Sequence, residues 1–127
     1  MALKTVAAFA NGAGGTIVFG VDDGLQIVGL GESLTREGMD RVTRLISDRV
    51  HPHVSFGMEQ VRLGDADVLA VYVHAGRDAP YGVGTNLQKL AYYVRRGGNS
   101  IMARPEDLRN SVLSRVPAPL DQSGALL

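Results

Sequence analysis

The spacing of apolar positions changes several times along the chain, and each change marks an element. In Leu3–Ala10, Leu3, Val6, Ala7 and Ala10 recur at helical spacing, which predicts a helix with one buried face. Asn11-Gly12 follows as a stop, since both residues tolerate positive φ. The chain begins inside this helix, so an upstream segment is expected. Thr16–Val21 is β-branched and apolar apart from Gly20, the pattern of a buried central strand. Asp22-Asp23-Gly24 is turn chemistry, and Gln26–Leu30 follows as a short strand, which predicts a hairpin.

Leu34–Val50 carries the clearest helical period. Met39, Val42, Leu45 and Ile46 form the apolar stripe, and Arg36, Glu37, Asp40, Arg41, Arg44, Asp48 and Arg49 line the other side. Ser33 or Thr35 is placed to cap it, and Pro52 ends it, because the residue before a proline resists helical geometry. Val54–Leu63 and Val68–His74 read as strands joined by the loop Gly64–Asp67. Gly76–Asn86 is a Gly- and Pro-rich loop, Leu90–Arg95 a strand, and Gly97–Ser100 a turn. Pro105 opens a last helix, with Glu106 and Asp107 suited to its positive end and Leu108, Val112 and Leu113 as its apolar face. From Pro117 the sequence reads as a linker or tail. The order α-β-β-α-β-β-β-α, with hairpins in place of repeated crossovers, predicts an α+β fold. It would have three helices and a mixed or largely antiparallel sheet of about five strands, with one domain over 1–116.

Composition narrows the class. At 127 residues, 45% of them hydrophobic and 20% charged, the chain is one ordinary globular domain. No apolar run approaches the length of a membrane span, and no signal-peptide pattern opens the chain, so no membrane partner is expected. The absence of cysteine rules out thiolate chemistry and fits a cytoplasmic protein. Formal net charge is zero, yet the charge is uneven. Between Lys89 and Arg115 six bases face only Glu106 and Asp107, which keeps a polyanionic partner open.

Three constellations carry candidate chemistry. Gly12-Ala13-Gly14-Gly15 looks like a phosphate loop, but the glycines lie between a helix and a strand, the reverse of the phosphate-binding order, and no Lys-Ser/Thr follows. A tight connection is the plainer reading. Asp22-Asp23 offers carboxylates for Mg or Mn, yet spacing alone brings no further acid from Glu32, Asp65, Asp67 or Asp78 beside them. His51, His53 and His74 read as structural or surface residues, without the spacing of a zinc site. The third constellation is Leu90–Ser100. Arg95 and Arg96 supply forked donors for phosphate, the backbone of Gly97, Gly98, Asn99 and Ser100 adds N–H groups, and Tyr92 or Tyr93 can stack on a base.

Ala7–Asn11 followed by Gly14–Gly24, and Tyr92–Ser100 followed by Pro105–Leu108, resemble the two marker segments of the Schlafen AlbA-type, or divergent AAA-4, domain family. The long helix, Pro52 and the Asp78–Tyr81 segment fit between them, and the resemblance covers residues 3–113. It implies an α+β domain from proteins described as transcriptional regulators or ATP-binding proteins. Related vertebrate domains cleave structured RNA with three acidic residues, two from an upstream E-x-x-x-x-E-F-K segment and one from the turn that matches Asp23, with Asp22 beside it. This chain starts after that upstream segment, so the resemblance implies a domain holding one of the three carboxylates and no efficient nuclease activity.

Together these readings give a domain that binds DNA or RNA, largely through phosphate. Arg95, Arg96 and the Gly97–Ser100 turn would form the contact, with help from Lys89 and Arg104. The alternatives are a nucleotide domain using ATP and Mg at Gly12–Gly15 and Asp22 or Asp23, and a homodimerising interaction module.

Overall fold

The computed structural model describes residues 2–113; the tail expected from residue 117 and the domain end at 116 lie outside the described residues. The elements follow in the order α1 (Leu3–Asn11), β1 (Gly15–Gly20), β2 (Gln26–Ile27), β3 (Glu32–Ser33), α2 (Arg36–Arg49), β4 (Val50–His51), β5 (Phe56–Leu63), β6 (Ala66–Val73), β7 (Gly82–Val83), β8 (Ala91–Arg96), β9 (Asn99–Met102) and α3 (Pro105–Leu113). The strands form antiparallel sheets of three (β1-β6-β5), two (β2-β3) and four (β4-β7-β8-β9). The fold is α+β with three helices, as the pattern predicts. The five strands legible in the sequence are β1, β2, β5, β6 and β8; the other four are only two to four residues long.

Helices α1 and α2 and one face of the β1-β6-β5 sheet enclose the core. Leu3, Val6, Ala7 and Ala10 of α1 meet Val42 and Ile46 of α2 and Leu69, Val71 and Val73 of β6, all buried. Residue 69 has no exposed surface, so Leu69→Ala would cost about 2–5 kcal/mol. The Thr35 hydroxyl caps α2 by accepting from Gly38 N at 3.1 Å.

Two expectations are corrected. Thr16–Val21 does not supply the buried central strand: β1 is an edge, and β6 lies between β1 and β5. Ile17 and Phe19 turn to the core while Val18 remains 56% exposed, because the helices cover one face of this sheet only. An apolar run on both faces of β1 made it look enclosed. At the end of α1, positive φ falls on Gly14 (+82°) rather than on Gly12, whose φ is −110°.

Candidate nucleic-acid interface

The β8–β9 hairpin packs against α1, and its register sets where each candidate side chain stands. Arg95 pairs with Ser100 and Arg96 with Asn99, so the turn shrinks to Gly97-Gly98. Both glycines have positive φ (58° and 85°), as a two-residue hairpin turn requires. Arg95, Arg96, Gly97, Gly98 and Asn99 are all exposed.

Arg95 is held from two sides. Its guanidinium carbon lies 4.9 Å from the centroid of the Phe9 ring, and Nη1 donates to Ser100 Oγ at 3.0 Å. Ser100 Oγ also lies 2.9 Å from Thr5 Oγ1, one turn before Phe9 on α1. The glycine-rich segment enters here: a Cβ on Gly15 would stand 2.8 Å from the Phe9 ring. The missing side chain is what leaves room for the ring beneath Arg95. A Cβ on Gly14 would sit 2.7 Å from Val73 O. These two glycines are therefore packed against protein atoms.

Arg96 and Arg104 are engaged differently. Arg96 Nη2 bonds Asp107 Oδ1, while Asp107 Oδ2 accepts from Arg104 N at 3.0 Å and lies 3.4 Å from Arg104 Nε. The bond to Arg104 N closes the first turn of α3 in the manner of a capping box. Asp107 is 9% exposed. Its carboxyl is held below the ordinary value first by the Arg104 backbone N–H, with the Arg96 and Arg104 charges adding to this against the opposing effect of burial. Both guanidinium groups thus stand beside a resident carboxylate.

The remaining candidates are spread out. Lys89 is exposed in the loop before β8, roughly 19–24 Å of extended chain from Arg95 and Arg96. Tyr92 is half-buried with its ring over Gly82, where a Cβ would lie 2.9 Å from it. Tyr93 is half-buried and pairs with Met102.

Between α1, the end of β8 and α3 lies a cleft of about 250 Å³, lined among others by Asn11, Gly12, Arg95, Arg96, Asp107 and Asn110. Its floor is fixed by Asn11, which is 3% exposed. Asn11 Nδ2 donates to the carbonyls of Tyr81 (3.0 Å) and Tyr93 (2.9 Å), and Oδ1 accepts from Tyr81 N at 2.6 Å. Sequence reading treated Asn11 as a helix stop and gave Phe9, Thr5 and Asn110 no role. Asp107 was legible only as a dipole partner.

The Asp22-Asp23 turn lies elsewhere. Asp22 Oδ1 accepts from Gly24 N and Gln26 N, each at 2.9 Å, and so organises the turn itself. Asp22 and Asp23 line a cleft of about 260 Å³ with Asp65 and Asp67, an approach that spacing did not reveal. It follows from the β1–β6 register, which sets Gly20 against Val68. Asp67 Oδ1 lies 3.3 Å from Arg62 Nη1. Among the described residues no group of three or more His, Cys, Asp or Glu side chains is arranged to hold a metal ion, and no helix is long and apolar enough to cross a membrane.

Residues 1–104 match the family model described as Schlafen, AlbA_2. No curated protein and no solved structure matches the chain.

Proposed function

The chain belongs to the Schlafen AlbA_2 family, and from that membership we propose a nucleic-acid-binding domain that grips the phosphate backbone through the end of β8. The observation that carries the reading is the posture of Arg95. It stands exposed at the mouth of the α1–β8–α3 cleft, fixed by Phe9 below and Ser100 beside it. The bond to Ser100 uses one of five guanidinium N–H groups, which leaves a forked donor for a phosphate. The open Gly97-Gly98 turn lets a backbone approach closely. Donors aimed at phosphate position a nucleic acid without reading its bases, so the contact is largely sequence-independent.

Few phosphate contacts imply micromolar or weaker binding that falls steeply with salt. Fluorescence anisotropy with labelled single- and double-stranded DNA and RNA at low salt tests this. Binding that weakens as salt rises, and weakens further in Arg95→Gln, is the expected result. No change in anisotropy for any of the four at high micromolar protein would overturn it.

A further inference from the structure

A second cleft, distinct in its lining from the Arg95 cleft, gathers donors without partners among the described residues. It has a volume of about 380 Å³ and is lined by His53, Ser55, His74, Arg77, Asp78 and Tyr81 among others. That is enough space for one nucleotide-sized ligand. His74 N donates to Ser55 O at 3.0 Å, which continues the β5–β6 ladder by one pair and puts the Ser55 and His74 side chains on one face. His53 and Ser55 are exposed on either side of buried Val54, and His53 lines the same cleft as His74.

The opposite wall is rigid. Gly76 N donates to Ala10 O at 2.8 Å, Asp78 N donates to the Tyr81 hydroxyl at 3.0 Å, and Tyr81 is 2% exposed. A Cβ on Gly76 would come within 2.1 Å of the Tyr81 ring, so glycine is required for the ring to lie there. This closure presents Arg77 and Asp78 from a fixed frame. Among the described residues, the side chains of His53, His74 and Arg77 make no hydrogen bond or ion pair, unlike Arg96 and Arg104.

We propose that His53, His74 and Arg77 form a binding site for the phosphate of a ribonucleotide, separate from the Arg95 surface. An N–H donor from each imidazole and a guanidinium fork from Arg77 suit one tetrahedral anion. Asp78 is the acidic residue lining the cleft. Its carboxylate resists a second anion and accepts from a ribose hydroxyl, so a ribonucleotide is favoured over inorganic phosphate.

The test is proton NMR of the histidine ring signals during titration with AMP, inorganic phosphate and a decauridylate. His51 is the internal reference, because its Nε2 lies 2.9 Å from Asp48 O outside the cleft. The His53 and His74 signals should move as AMP is added, while the His51 signal stays still. Arg77→Gln should weaken AMP at least about fivefold, and Arg95→Gln should leave it unchanged. Tighter binding of AMP than of decauridylate identifies a free nucleotide as the ligand; the reverse identifies an RNA backbone. Still His53 and His74 signals at millimolar AMP and decauridylate, or equal movement of all three histidines, would overturn the site.

Discussion

Arg96 and Asp107 are bound to each other, so the more C-terminal of the two adjacent β8 arginines does not face solvent as a bare cation. The carboxylate already takes up one of the Arg96 donors. Asp107→Asn should therefore raise nucleic-acid affinity a few-fold at low salt while weakening the first turn of α3. Anisotropy and a thermal melt on the same variant separate the two effects. A loss of affinity in a folded Asp107→Asn protein would mean that Arg96 works only when held.

The same carboxylate gives stability a pH dependence. Its value is depressed in the folded protein, so its contribution is complete above the ordinary aspartate range near 3.9. It is lost as pH falls through the depressed folded value. Urea midpoints from about pH 6 down to about pH 2 should fall more steeply for the parent than for Asp107→Asn.

Phe9 is expected to matter through Arg95 alone. Phe9→Leu keeps an apolar filling but removes the ring face beneath the guanidinium. A double-mutant cycle with Arg95→Gln on nucleic-acid affinity should give a coupling of about 0.5–1 kcal/mol. Independent, additive effects would remove Phe9 from the site.

Asn11 bonds Tyr81 twice in the buried interior and the Tyr93 carbonyl at a part-buried position. Asn11→Ala leaves two carbonyls and an N–H short of partners, and should destabilise by about 2–4 kcal/mol. Asn11→Asp should be no better, since a carboxylate cannot donate to the carbonyls of Tyr81 and Tyr93. Chemical denaturation measures both.

Tyr72 donates to Glu59 Oε1 at 2.5 Å on the open face of the β1-β6-β5 sheet. That bond, with burial and the Glu59 charge, raises the phenol above its ordinary value. Ultraviolet titration should show one tyrosine ionising late, and Glu59→Ala should bring it back toward about 10.

Much of this arrangement was legible in periodicity, and the gaps have physical causes. The stripe Met39–Ile46 located α2, and the buried run Val68–His74 located β6. Strands β3, β4, β7 and β9 carry too few residues to set a period, and pairing partners create them. Val18 misled because an edge strand can carry apolar side chains on its open face. For the site, Arg95 and Arg96 stood out as a pair beside a glycine turn. What separates them is tertiary: Phe9 from α1 lies under one, and Asp107 from α3 takes the other. Likewise Asp65 and Asp67 meet the Asp22-Asp23 turn only through strand register.

The Asn11 bracket also sets a timetable for synthesis. Asn11 leaves the ribosome long before Tyr93, to which it must bond across 82 residues. At typical elongation rates that interval is roughly 4–16 s. The apolar stripe of α1 can meet α2 and β6 earlier, but the Asn11 bond to the Tyr93 carbonyl cannot form until β8 is made. A nascent chain stalled before β8 should keep α1 open to proteolysis, and one stalled after β9 should not.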